Sequence, residues 1–115
     1  MNKLIAIKTL KKKILKQNKK TVLCHGVFDL LHTGHIDHFI EAKKLSKAEI
    51  LVVSITEDKH VNKGINRPIN KLLERIKILS ALSIVDYIIV NKEITAIKTL
   101  KDLRPNFYCK GPDYK

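Results

Sequence analysis

Read from the N-terminus, the apolar positions of the chain change their period several times, and each change marks an element. Leu4, Ile7, Leu10, Ile14 and Leu15 recur among lysines at helical spacing, which predicts an amphipathic helix from Leu4 to Gln17 packed by one apolar stripe. Thr21–Cys24 is a short apolar run ending at a glycine turn, and reads as a buried strand. Helical spacing returns with Ile36, Phe39, Ile40 and Leu45, the expected buried face of the next helix. Glu49–Ile55 is almost continuously apolar and β-branched, as in a parallel strand covered on both faces. Glu57–Asn70 is polar and reads as a short helix followed by a mobile loop, the kind of segment that often carries function. Leu72–Leu82 predicts a helix offering Leu73, Ile76, Leu79 and Ala81 to the core, followed by a strand at Asp86–Val90 and a helix at Ile94–Leu103. A fourth strand, Phe107–Cys109, runs into Lys110-Gly111-Pro112-Asp113.

Strands alternating with helices predict a doubly wound α/β fold: a parallel sheet, preceded here by the N-terminal helix within residues 1–19. Right-handed crossovers bring the C-terminal ends of all strands to one edge, where ligands bind. Gly26 to His35, the loop after Ile55, and Lys110 to Asp113 are thereby expected to converge.

The 115 residues suffice for one domain. With no tryptophan and few aromatic residues, aliphatic side chains must build the core. No long uncharged apolar run predicts a transmembrane helix or a signal-peptide core, so a soluble, cytoplasmic protein is expected. Cys24 and Cys109 lie far apart without a C-x-x-C spacing, which suits a reducing compartment and two buried strand residues. A net charge of +12 would suit a polyanionic partner. The lysines are dispersed, however, and no aromatic residues are interleaved with them, so a solvated surface is expected, with neither nucleic acid nor membrane as partner.

Chemistry concentrates in Cys24-His25-Gly26-Val27-Phe28-Asp29-Leu30-Leu31-His32-Thr33-Gly34-His35. A strand-to-helix turn presents unpaired N–H groups and the positive end of the helix dipole, and glycine at 34 admits a phosphate close to the backbone. His32 and His35, with Lys63 and Arg67 from the facing loop, would surround the α-phosphate and a departing pyrophosphate with positive charge, as nucleotidyl transfer requires. That scheme needs no nucleophilic intermediate. A nucleophilic Cys24 is the competing reading at that residue, and plain packing or surface roles compete for the two histidines. A metal site is another competitor, since His32, His35 and His38 recur at three-residue spacing with His25 nearby. Successive i, i+3 steps slip by about 60° around a helix, so such ligands fan out. His38 and His60 read as exposed or pocket-rim residues, and Asp29 as either a capping acid or an acid facing the site.

Gly26-Val27-Phe28-Asp29 followed by His32-Thr33-Gly34-His35 resembles the G-x-F-D-x-x-H-x-G-H signature of the cytidylyltransferase-like nucleotidyltransferases, Rossmann-like enzymes that join a nucleoside triphosphate to a phosphorylated alcohol or sugar. Lys63-Gly64, Arg67-Pro68-Ile69-Asn70, Glu74-Arg75 and Lys110-Gly111-Pro112-Asp113-Tyr114-Lys115 are most similar to the domain that adenylylates heptose 1-phosphate. The resemblance implies that His32, His35 and Lys63 are catalytic. It places Gly26, Val27, Phe28, Asp29, Gly34, Lys110, Gly111 and Asp113 about the nucleotide, and Arg67 and Arg75 on phosphates or the second substrate. It further implies ATP or CTP, a substrate-bound Mg²⁺, a phosphorylated sugar or polyol, and a homodimer. No protein-held metal is implied. Relatives continue into an I-S-T-T or I-S-S-S type segment that these 115 residues lack, so the chain is expected to be part of a longer protein. A glycerol 3-phosphate type cytidylyltransferase is the alternative within the class, and a non-catalytic basic nucleotide- or nucleic-acid-binding module the alternative outside it.

Overall fold

Four short runs of apolar and β-branched residues, β1 (Thr21–Gly26), β2 (Ile50–Thr56), β3 (Tyr87–Asn91) and β4 (Phe107–Lys110), pair in parallel in the order β3-β2-β1-β4. They are seen in a computed structural model that describes residues 2–61, 69–93 and 95–110. Four helices accompany them there, α1 (Ile7–Gln17), α2 (Thr33–Ser46), α3 (Leu72–Ser80) and α4 (Ile97–Leu103), with a single 3₁₀ turn at Asp58–His60.

Alternation along the strands separates two cores. Val22, Cys24, Leu51, Val53, Ile55 and Ile88 face α2 and α3 and pack with Phe39, Ala42, Ile76 and Leu79. Leu23, Ile50, Val52 and Ile89 face the other way, onto Leu10 of α1 and Leu103 of α4. Every residue of β2 is buried, as its unbroken apolar run requires. The chain moves outward from β1 to β2 to β3, then returns through α4 to the far side of β1. The direction of winding therefore reverses between β1 and β4, and their C-terminal ends flank the crevice of a doubly wound sheet.

Several expected core positions lie outside. Leu4 is not helical; it forms a parallel bridge with Ile88, with Ile5 N–H donating to the Ile88 carbonyl (2.9 Å) and Ile88 N–H to that of Lys3 (3.0 Å). The exposed margin of β3 offers hydrogen bonds that a helical first turn would forgo. Lys3 ties this segment down by donating its ammonium to the carbonyls of Leu82 and Val85. Leu15, a step of about 100° around the helix from Ile14, is 72 % exposed. On α2 the buried positions are Phe39, Ala42 and Ser46, while Ile40 and Leu45 face outward. On α3, Ile76 and Leu79 are buried as expected, but Leu73 and Ala81 are exposed and Arg75 and Ser80 take the remaining inner places. α4 starts at Ile97; Ile94, its expected first residue, lies outside the described residues. The buried Asn91 explains the late start, because its Nδ2 donates to the carbonyls of Glu93 (3.0 Å) and Thr95 (2.9 Å) and curls the chain before the helix.

Candidate active site

β1 runs two residues beyond its apolar stretch, to Gly26, and delivers a tight turn at the C-terminal edge of the sheet. Within it Phe28 has a φ of 52°, a conformation that costs a bulky residue about 1–3 kcal/mol. Three sets of contacts hold it. The Phe28 ring lies over Gly26 and packs against Phe39 (centroids 5.4 Å) and the edge of His35 (5.6 Å). The buried Asp29 carboxylate accepts from the N–H groups of Ile69 (2.9 Å) and Asn70 (2.8 Å), while Asn70 Nδ2 donates to the Asp29 carbonyl (2.7 Å). Of the two readings open for Asp29, these bonds describe a capping acid: both oxygens take backbone N–H groups just ahead of α3.

Arg75 supplies the third. Its side chain, 0 % exposed, reaches from α3 beneath the turn, where Nη1 donates to the carbonyls of Val27 (2.8 Å) and Thr56 (2.6 Å) and Nη2 to Asp58 Oδ1 (2.6 Å). One guanidinium thus joins the ends of β1 and β2 to the 3₁₀ turn. This departs from its expected place on the substrate phosphates, because burial and these three bonds make it a strut of the edge. Among the described residues Nε has no hydrogen-bond partner.

His32 and His35 begin α2 by capping each other. Gly34 N–H donates to His32 Nδ1 (3.0 Å), and His32 N–H donates to His35 Nδ1 (3.2 Å). This is the reciprocal arrangement of a capping box, with imidazoles in place of the usual hydroxyl and carboxylate. Since Nδ1 accepts in both rings, the tautomer that satisfies both bonds carries its proton on Nε2. The rings lie 4.2 Å apart between centroids at an angle of 43°. Two imidazole N–H dipoles are therefore fixed at a helix N-terminus, where the macrodipole already favours an anion.

His25, the penultimate residue of β1, places Nδ1 3.1 Å from Ser54 Oγ of β2. Burial pushes its pKa below the ordinary value, against the opposing effect of a hydrogen bond with the Ser54 backbone. Beside it Cys24 and Cys109 face each other across β1 and β4 as free thiols. Cys24 is buried and its pKa is pushed up to about 12, by burial first and by Cys109 second, which leaves it protonated and removes the nucleophile reading. Cys109 is half-buried, short of the full burial expected. Among the described residues no group of three or more His, Cys, Asp or Glu side chains is disposed to hold a metal ion. His38, expected at a rim, has a buried Nε2 with no hydrogen-bond partner among the described residues. His60 is half-buried, within 3.1 Å of the Lys92 carbonyl and 3.6 Å of Glu57.

The structure thus gathers Gly26, Val27, Phe28, Asp29, His32, Gly34 and His35 into one turn, with Arg75 beneath it. Lys110 closes β4 opposite His25. Lys63, Arg67, Gly111 and Asp113 lie outside the described residues. Sequence reasoning missed Ser54, Thr56 and Asp58, and quoted Asn70 only as part of the Arg67-Pro68-Ile69-Asn70 run, without a role. Only Asn70 carried a local signal, as a helix-capping residue type just ahead of an apolar helix.

Comparisons with known proteins agree with the fold. The bifunctional protein HldE of Blochmanniella floridana is 42 % identical over 100 residues, which is 85 % of this chain and 20 % of that protein. That of a Nitratiruptor species is 36 % identical over 111 residues, 95 % of this chain and 24 % of its own length. The chain therefore spans about a fifth to a quarter of these curated relatives. The crystal structure of the lipopolysaccharide core biosynthesis protein from Thermoplasma volcanium GSS1 superposes with a TM-score of 0.68 at 35 % identity, covering 78 % of this chain and 72 % of the other. With the profile of the cytidylyltransferase-like family matching residues 23–115, from the middle of β1 onward, the chain belongs to that family.

Proposed function

We propose that the chain is a nucleotidyltransferase domain that moves a nucleotidyl group from ATP or CTP, as the Mg²⁺ complex, to a phosphorylated sugar or polyol. Heptose 1-phosphate adenylyltransferase is the activity it most resembles. The observation that supports the reading is the reciprocal cap of His32 and His35 at the reversal of winding, which holds both imidazoles at a helix N-terminus, where an anion is favoured. A phosphate oxygen of the acceptor attacks the α-phosphorus in line, a new P–O bond forms, and the bond to the bridging oxygen breaks as pyrophosphate leaves with the electron pair. The histidines steady the charge that builds on the phosphate oxygens. Lys63 and Arg67 are proposed to close over the β- and γ-phosphates, and Gly26, Val27, Phe28, Gly34, Lys110, Gly111 and Asp113 to line the nucleotide pocket. Mg²⁺ rides on the triphosphate, held mainly by its oxygens. A cytoplasmic homodimer completes the reading, and sedimentation at micromolar concentration tests the dimer.

The experiment combines the protein with ATP or CTP, Mg²⁺ and either heptose 1-phosphate or glycerol 3-phosphate, and measures pyrophosphate. Release with ATP and heptose 1-phosphate is expected. Release only with CTP and glycerol 3-phosphate would assign the cytidylyltransferase instead. No release with any pair, together with unchanged nucleotide affinity in His35→Ala, overturns the enzymatic reading.

A further inference from the structure

On the face of the sheet opposite α2, the N-terminal segment, α1, the end of β3 and α4 enclose a cleft that nucleotidyl transfer does not use. Its larger part, about 700 Å³, is a mainly apolar trough bounded by Leu4, Ile5, Ile7 and Ile89, with Asn91, Lys92 and Thr99 beside them. A smaller compartment of about 350 Å³ continues it between α1 and α4, bordered by Lys8, Lys11, Lys98, Lys101 and Arg104. Ile7, Lys8, Lys98 and Asp102 belong to both. Glu93 and Asp102 are the carboxylates of the lining, and Asp102 is already matched by Lys98 at 3.3 Å. Lys11 donates to the Asp102 carbonyl (2.9 Å), which holds a further ammonium at the mouth.

The two halves ask for different things. An apolar trough gains from a hydrocarbon that leaves water, whereas a rim with surplus positive charge gains from an anion. A bare phosphate satisfies only the rim, and a neutral lipid only the trough. Each compartment is of the size, about 300–1,000 Å³, that accepts small ligands. We propose that this cleft binds a single-chain amphiphilic anion from solution, its hydrocarbon chain along Ile7 and Ile89 and its phosphate or carboxylate head on Lys8, Lys98 and Lys101. The site lies across the sheet from the helix that carries the histidine pair and stands independently of the transfer reaction.

Calorimetric titration of the 115-residue chain with dodecyl phosphate, below its micellar concentration, tests the proposal. A Kd of about 10–100 µM is expected, with inorganic phosphate and neutral decyl maltoside each at least about tenfold weaker. The double variant Lys8→Glu/Lys101→Glu alters two exposed helix positions and should weaken dodecyl phosphate at least tenfold with its circular-dichroism melt unchanged. Amide shifts should move at Ile89, Val90 and Thr99 and stay fixed from Gly26 to His35. Absence of binding, equal binding of inorganic phosphate or of a short DNA duplex, an unaffected double variant, or shifts confined to Gly34 and His35 would each overturn it.

Discussion

The Phe28 ring lies across the α-carbon of Gly26, so that a Cβ there would meet Phe28 Cζ at 2.9 Å and Cε2 at 3.1 Å. The ring cannot retreat freely, because Phe39 and His35 pack against it. Gly26→Ala is accordingly expected to lower stability by about 1–3 kcal/mol and to displace His35 with the ring. Urea unfolding measures the first effect and pyrophosphate release the second. A variant as stable and active as the parent would show that the ring does not hold the turn.

Capping and donation can be separated at His32. Asparagine caps helices well through its side-chain oxygen but presents no donor where Nε2–H stood. His32→Asn should stay within about 0.5 kcal/mol of the parent in urea and lose at least about 100-fold in turnover. Full turnover in this variant would reduce His32 to a helix cap.

Arg75→Lys keeps the charge but cannot reach Val27, Thr56 and Asp58 together. Its expected cost is about 2 kcal/mol or more, since buried carbonyls lose their donor. Hydrogen exchange should quicken at the ends of β1 and β2 and leave β3 unchanged. Uniform acceleration across the sheet would show a general loss of stability instead.

His25 makes stability depend on acidity. Its pKa is lower in the folded chain than the ordinary 6.5, so the unfolded chain binds the proton more readily. Its contribution is complete above pH 6.5 and is lost as the pH falls through that value toward the folded pKa. The urea midpoint should therefore drop between pH 7.5 and pH 5, and drop less in His25→Asn. Identical profiles for the two proteins would rule this histidine out as the cause.

With its pKa near 12, Cys24 is thiolate in only about one molecule in ten thousand at pH 8. Iodoacetamide should leave it unmodified in the native protein and label it fully in urea. Cys109, also raised by burial but partly open, should react slowly and first. Mass spectrometry of timed samples reads both. Rapid native labelling of Cys24 would contradict the buried, protonated thiol.

The order of strands and helices was legible because β2 is uniformly apolar and the helical segments carry their own period. Helix faces were less so. Leu45 and Leu73 lie outside while Ser46 and Arg75 lie inside, because the inner face of a helix over a sheet end also accommodates groups that find partners there. That His32 and His35 stand where a helix begins was readable, but their reciprocal capping was not, since imidazole is an unusual capping group. Asp58 and Arg75 are too far apart for local spacing to join them. Leu4 misled for a simple reason: an apolar residue before a helix fits the stripe equally well when its backbone is paired elsewhere.

The bridge between Leu4 and Ile88 also orders events in time. During synthesis Leu4 finds its partner only after more than eighty further residues have followed it. The outer margin of β3 is thus closed by a segment made well before it. Until then β3 presents an uncovered edge, and an early tether or fusion at Lys3 or Leu4 would prolong that interval and the exposure to intermolecular strand pairing that comes with it.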